Sequence, residues 1–333
     1  MVVDNTFTEG IVDMVSGEGV ECSCKSHLLM NRTISRIILY LGNISIIIAG
    51  GEESKQTKIG REVEVLGEQP NCQIPPLPNH GVTSSPMLLQ HGRHILLCGG
   101  AGADEECLKL EKEKWSSYNT LNNVRLVANA IQDESKSFIF GGQTYPMTSE
   151  ILKHDSTEWL IGPEIPNPGL EGNCGVQISS NEFLIIGGYN AEKQILKFTT
   201  DDKKWHNTSL ELKVGRYYHK CMAFNGNIII AGGNYHNGTN VGSTEIIDIA
   251  TLKIREGKNL NIKRRYPGMG IITINDIPTL VIFGGELGFK NNTDTVEVWN
   301  ENTKSWIMSD EKLQTEKSKF GFISVPIELL CPN

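Results

Sequence analysis

The sequence lacks most of the features that announce a function. No run of 18 apolar residues occurs, so no transmembrane helix is expected. Residues 1–20 carry acids and no apolar stretch of signal-peptide type. Basic residues are outnumbered, 31 Lys and Arg against 39 Asp and Glu, and the formal net charge is −8. Nucleic acid is therefore a poor partner, since phosphate neutralisation needs a basic surface. No G-x-S-x-G, H-E-x-x-H, Walker glycine loop or C-x-x-C appears, and Cys22-x-Cys24 has no partners at zinc spacing. Helical periodicity is missing too, which leaves short strands and turns.

What is present is a repeat. Short apolar runs end six times in paired glycines: Gly50-Gly51, Gly99-Gly100, Gly141-Gly142, Gly187-Gly188, Gly232-Gly233 and Gly284-Gly285. The first glycines are 49, 42, 46, 45 and 52 residues apart. Each unit reads as an apolar strand, a tight turn, a second strand ending in the glycines, an alternating third strand and a short fourth. The fourth carries Trp115, Trp159, Trp205 or Trp306 in four units, and no tryptophan in the first and fifth. Six full repeats occupy residues 35–306. The flanks, 8–24 and 320–331, read as complementary halves of one more unit, making residues 1–333 one domain.

This pattern resembles the kelch motif. The resemblance implies an all-β propeller of four-stranded blades, and the complementary halves favour seven blades, the last closed by both chain ends. Six blades, closed by the C-terminal strand alone, is the alternative. On this reading the glycines and tryptophans named above are structural: glycine permits a positive φ and close backbone approach, and tryptophan packs between blades. Kelch propellers share a scaffold rather than one activity. No oligomerisation segment precedes the repeats, so a multidomain ubiquitin-ligase adaptor is not expected.

The strands of a blade are antiparallel, so residues just before the first strand and just after the diglycine should share one channel mouth. Those positions hold Arg125, Arg216 to His219, Arg264 to Tyr266, Glu52, Gln143, Tyr145, Tyr189, Asn190, Asn234 to His236 and Glu286. By resemblance to kelch propellers that bind peptides, Arg125, Arg216, Arg265, Tyr189 and Tyr235 form the expected recognition set, with the bland alternative that such arginines only hold blades together. The expected function is a non-catalytic, monomeric interaction module for a protein segment or a glycan, with no cofactor, no metal and no membrane insertion.

The enzyme alternative is a secreted copper radical oxidase resembling galactose oxidase. It needs two histidines, two tyrosines and a cysteine, and only Tyr217, Tyr218, His219 and Cys221 cluster. Strand order also allows Cys98–Cys107 and Cys174–Cys221 disulfides in an oxidising compartment, with reduced buried thiols as the alternative. Glycosylation sequons begin at Asn31, Asn43, Asn207, Asn237 and Asn291. Compartment stays open, extracellular or cytosolic.

Overall fold

A computed structural model describes residues 42–54, 60–79, 84–102, 105–133, 135–145, 147–166 and 171–331. All of them fall within one compact unit. The half-unit expected at 8–24, the strand expected at 37–41, Cys22, Cys24 and Asn31 lie outside the described residues.

Among the described residues, five four-stranded antiparallel sheets follow one another along the chain. Blade two is Met87–His91, His94–Cys98, Glu106–Leu110 and Trp115–Thr120. Blade three is Asn129–Gln132, Lys136–Phe140, Ser149–Lys153 and Trp159–Ile161. Blade four takes Cys174–Gln177, Glu182–Ile186, Gln194–Thr199 and Lys204–Glu211. Blade five takes Lys220–Phe224, Asn227–Ala231, Thr244–Asp248 and Ile254–Glu256. Blade six comprises Gly268–Ile274, Ile277–Phe283, Thr295–Asn300 and Ser305–Lys312.

Blade one is assembled from both ends of the described chain. Ile44–Ala49 pairs on one side with Val63–Leu66 and on the other with Gly321–Pro326, in unbroken register from Ile44 opposite Pro326 to Ala49 opposite Gly321. The first strands of successive blades pack side by side, and Gly321–Pro326 touches those of blades six and two, so the ring closes. The count is therefore six, the alternative reading, and the preferred seven is corrected. The reason is a matter of pairing. The C-terminal strand takes the inner place expected for residues 37–41 instead of starting a further blade. Residues 328–331, expected as a strand, instead belong to the turn of 3-10 helix Ile327–Leu330 and its end. Blade one also lacks the fourth strand expected near Asn71, and its sheet has three strands among the described residues.

The two-sided hydrophobicity of the strands follows from this arrangement. Ile46 and Ile48 pack with Ile272, Val281 and Phe283 of blade six, while Ile47 and Ala49 pack with Leu88, Ile95 and Leu97 of blade two. Side chains alternate across a strand, so each blade feeds two interfaces. Six apolar clusters result, one at each junction between neighbours. Three of the tryptophans are buried, and each of the four indoles donates its N–H across the junction. Trp115 bonds Pro75 O, Trp159 bonds Asn119 Oδ1, Trp205 bonds Pro163 O and Trp306 bonds Thr244 Oγ1.

Every described cysteine is paired. Cys98–Cys107 joins neighbouring strands of blade two, and Cys174–Cys221 joins the inner strands of blades four and five, both as the strand order suggested. The third, Cys72–Cys331, spans 259 residues and ties the chain after Val63–Leu66 to the end of the closing strand. It fastens the ring where closure depends on non-local pairing. Loop-entropy reasoning puts the loss of such a bridge at about 2–5 kcal/mol. Denaturant unfolding of Cys72→Ser with Cys331→Ser should show that loss, and a larger one than removal of Cys98–Cys107, which encloses a separation of only 9 residues.

Candidate functional site

The two loop families expected to meet at one face do so in every blade. The residue after the diglycine bonds the residue three places before the inner strand: Ala101 with Ser84, Gln143 with Leu126, Tyr189 with Glu171, Asn234 with Tyr217, Glu286 with Arg265 and Glu52 with Ser318. These contacts build a rim around the channel mouth.

The arginines one residue farther back are not on that rim. Arg125, Arg216 and Arg264 are at most 1% exposed. Each guanidinium binds its own blade in the same way. Arg216 donates to Gly232 O, Ser243 O and the Glu245 carboxylate. Arg125 does so with Gly141 O, Thr148 O and Glu150, and Arg264 with Gly284 O, Thr295 O and Glu297. Burial lowers all three guanidinium pKa values from their usual range, and the paired glutamates oppose that shift. In blade one Lys317 and Glu64, both buried, hold the equivalent places. Each of these residues also accepts, at its main-chain carbonyl, the N–H of the second glycine of the preceding blade: Gly100, Gly188, Gly233 and Gly285. A Cβ on Gly187 would stand 2.6 Å from Arg216 O, so the doublet itself must stay side-chain-free. Arg125 and Arg216, expected to contact ligand, are thus committed inside the blades. The glutamates that answer them were not singled out from sequence, although each pairs across the sheet with the residue two places before its diglycine.

Inside the rim, the residue two places before each inner strand has a positive φ: Ser85 60°, Val127 55°, Gly172 64°, Tyr218 56°, Tyr266 50° and Lys319 54°. A β-branched residue such as Val127 rarely adopts that conformation. Here main-chain bonds link neighbouring members of the ring, Gly172 N to Val127 O, Tyr218 N to Gly172 O and Tyr266 N to Tyr218 O in one run, and Ser85 N to Lys319 O in another. The Tyr218 and Tyr266 rings stack at 4.0 Å over the opening, and Lys319 lies 5.4 Å from the Tyr266 ring. Tyr218 donates to Glu171, and burial pushes both phenols above their usual range. The cavity at this level, walled by all six blades, is about 40 Å³, room for one or two waters and no larger ligand.

What the face offers a partner is aromatic surface farther out. Among the described residues, the exposed large aromatics are Tyr145, Tyr189, Tyr235 and Phe289, at 42%, 39%, 39% and 84%. All four stand in the loop after the diglycine, one each in blades three, four, five and six. They form a crescent over four consecutive blades. Tyr189 stacks on His236 with 11° between the rings and meets Tyr217 edge-on, which carries the aromatic surface inward to Tyr218. Between the loops of blades four and five lies an open cleft of about 480 Å³, lined by Glu192, Gly215, Tyr235, His236 and Asn237. Burial alone would raise the Glu192 carboxyl, but bonds from His236 and the local backbone hold it below its usual value. Arg265, half-buried, pairs with Glu286 beneath the crescent, and that bond raises its pKa. The recognition set is therefore split: Tyr189 and Tyr235 are presented, Arg265 is partly available, and Arg125 and Arg216 are internal. Phe289 stands farther past its diglycine than Tyr145, Tyr189 and Tyr235 do past theirs, so spacing from the glycines does not mark it as a rim residue.

The cluster that suggested copper disperses. Cys221 is bonded to Cys174, and the positive φ at Tyr218 breaks the alternation that would align Tyr217 with His219. His219 is fully buried, its ring against Gly187 of blade four. Among the described residues no group of three or more His, Cys, Asp or Glu converges.

Two outcomes follow. Removing one partner of a buried ion pair strands the other, at about 3–5 kcal/mol. Arg216→Leu should cost that much by denaturant unfolding, and Arg216→Leu with Glu245→Leu should recover part of it. Blades two and four already carry Leu108 and Leu196 where the others carry the glutamate. Their base positions hold the uncharged Thr83 and Leu170, which lie outside the described residues. For His219, burial with Arg216 and Lys220 nearby holds the imidazole pKa well below its usual 6.5. Both states are neutral above pH 6.5. Below it the unfolded chain binds a proton that the folded one refuses, so stability falls with pH, by up to about 1.4 kcal/mol per unit. His219→Gln should flatten that limb relative to wild type in unfolding curves taken between pH 7.5 and about 5.

No protein-family profile matches the chain. An F-box/kelch-repeat protein of Arabidopsis thaliana is 25% identical over 152 residues, which span 43% of this chain and 39% of that protein. The match thus covers about two fifths of the relative's length. The solved structure of YjhT superposes with a TM-score of 0.61 at 14% identity, over 74% of this chain and 88% of that one. The second likeness concerns fold alone. Together with six blades, their diglycine corners and the ring closed by the C-terminal strand, these likenesses identify the chain as a kelch-type β-propeller.

Proposed function

We propose that the protein is a non-catalytic interaction module that binds a protein segment across the aromatic crescent at its channel-mouth face. One observation carries this reading: the exposed aromatics among the described residues emerge from equivalent loops of four neighbouring blades. Aromatic side chains dominate binding hot spots because they bury a large area at small entropic cost. Phe289, 84% exposed, extends the row of aromatics that a partner would cover. The same platform suits a sugar ring stacking on Tyr189, and glycan is the second reading, favoured by Asn190 beside Tyr189. Kelch relatives support a binding role in general terms, and the F-box relative is an example only by its name. The narrow mouth and the dispersal of the Tyr217 cluster disfavour the oxidase.

Affinity capture followed by mass spectrometry tests the reading. The triple variant Tyr189→Ala, Tyr235→Ala, Phe289→Ala should lose its specific partner at least tenfold, since one hot-spot residue is worth about 2 kcal/mol. Ile277→Ala, at an exposed turn between the first two strands of blade six, should retain it. Equal capture by wild type and triple variant, with both folded, overturns the crescent as the binding surface.

A further inference from the structure

The six described cysteines are all disulfide-bonded. Three such bonds belong to an oxidising compartment rather than a reducing one. That gives meaning to the N-x-S/T triplets, and the structure sorts them. Asn43 opens the buried strand Ile44–Ala49; its amide nitrogen donates to Glu68, and Ser45 of the same triplet is 0% exposed. Asn291 is exposed, but its Thr293 is 5% exposed and bonded to Thr295. Asn207 lies within the outer strand of blade four.

Asn237 differs from all of these. It sits at the tip of the blade-five loop with Tyr235, His236, Gly238 and Thr239 exposed around it. Its side-chain carbonyl accepts the Thr239 N–H at 3.1 Å and the Thr239 hydroxyl at 2.7 Å. Those two bonds fix the side chain and leave the amide nitrogen turned to solvent. Gly238 has a φ of 82°, and a Cβ there would meet nothing within 4 Å, so the space beside the amide is open.

We infer that Asn237 is an N-glycosylation site, with a lipid-pyrophosphate-linked oligosaccharide as the donor. In the transfer the Asn237 Nδ2 bonds C1 of the terminal sugar, the bond from C1 to the pyrophosphate oxygen breaks, and the amide proton leaves with the lipid pyrophosphate. The inference stands on exposure, turn geometry and the disulfides, and does not need the crescent to bind anything. Its consequence for the crescent is positional: a glycan on Asn237 stands beside Tyr235 and His236 and screens the cleft between blades four and five.

Peptide mapping of the native protein tests it. Release of N-glycans by amidase should convert Asn237 to Asp with heavy-oxygen incorporation, Asn43 should remain unconverted, and the non-reduced digest should contain the three paired cysteines. An unmodified Asn237 overturns the inference, as do free thiols at Cys98, Cys107, Cys174 and Cys221. In a eukaryotic secretory host, Thr239→Ala should abolish the conversion at Asn237 and Thr239→Ser should keep it, with unchanged unfolding midpoints. Conversion that persists in Thr239→Ala also overturns it. Partner capture before and after glycan release reads the crescent separately: a change bears on binding, and no change leaves the glycan assignment intact.

Discussion

The ring is held by one repeated constraint, the link between a buried base and two glycine corners. Arg216 shows it whole. Its side chain binds the carbonyl of Gly232 in its own blade, and its main-chain carbonyl receives the N–H of Gly188 from the blade before. The neighbouring blade can approach this closely only because the corner is free of side chains, since a Cβ on Gly187 would collide with that same carbonyl. The glutamate on the third strand then neutralises the guanidinium and also accepts main-chain N–H groups of the inter-blade loop, Lys213 and Val214 for Glu245. Charge, close approach and loop position are thereby settled together. An unpaired arginine at such depth would be far too costly to keep.

The same unit recurs at blades three, five, six and, with Lys317, at blade one, where the chain must close on its own beginning. Closure there is secured three ways: by the register of Gly321–Pro326 on Ile44–Ala49, by the Lys317–Glu64 pair and by Cys72–Cys331. Pairing residues so far apart in sequence is entropically demanding, which gives the additional covalent tie a physical purpose. Inside the rim, the ring of left-handed residues narrows the channel to water-sized space. Exposed aromatic surface therefore lies off the axis, on the outer loops of blades three to six, away from the hydrogen-bonded residues of the inner ring.

Much of this was legible in the residues. The diglycines, the apolar runs and the tryptophans implied a propeller, because each is a local requirement: positive φ, two-sided burial and a large side chain at a junction. The shared rim was legible too, since antiparallel order alone brings its two loop families together. The pre-strand arginines were harder. From sequence they look like hot-spot residues, and their answering glutamates lie 25, 29 and 33 residues away, a separation at which no local pattern marks a partner. Phe289 was likewise invisible as a rim residue, because its position depends on how the loop of blade six folds back as a hairpin, Glu286–Gly288 against Asn291–Asn292.

By itself the sequence determined the unit: how one blade is built, where its corners turn and which strands bury both faces, all matters of period and of residues acting within a few positions. Tertiary structure decided how many such units close the circle, which arginines vanish into it, and which aromatics remain outside. Those outcomes depend on which distant strand wins the open edge of Ile44–Ala49 and on the partners that burial supplies, and neither is encoded in any single repeat.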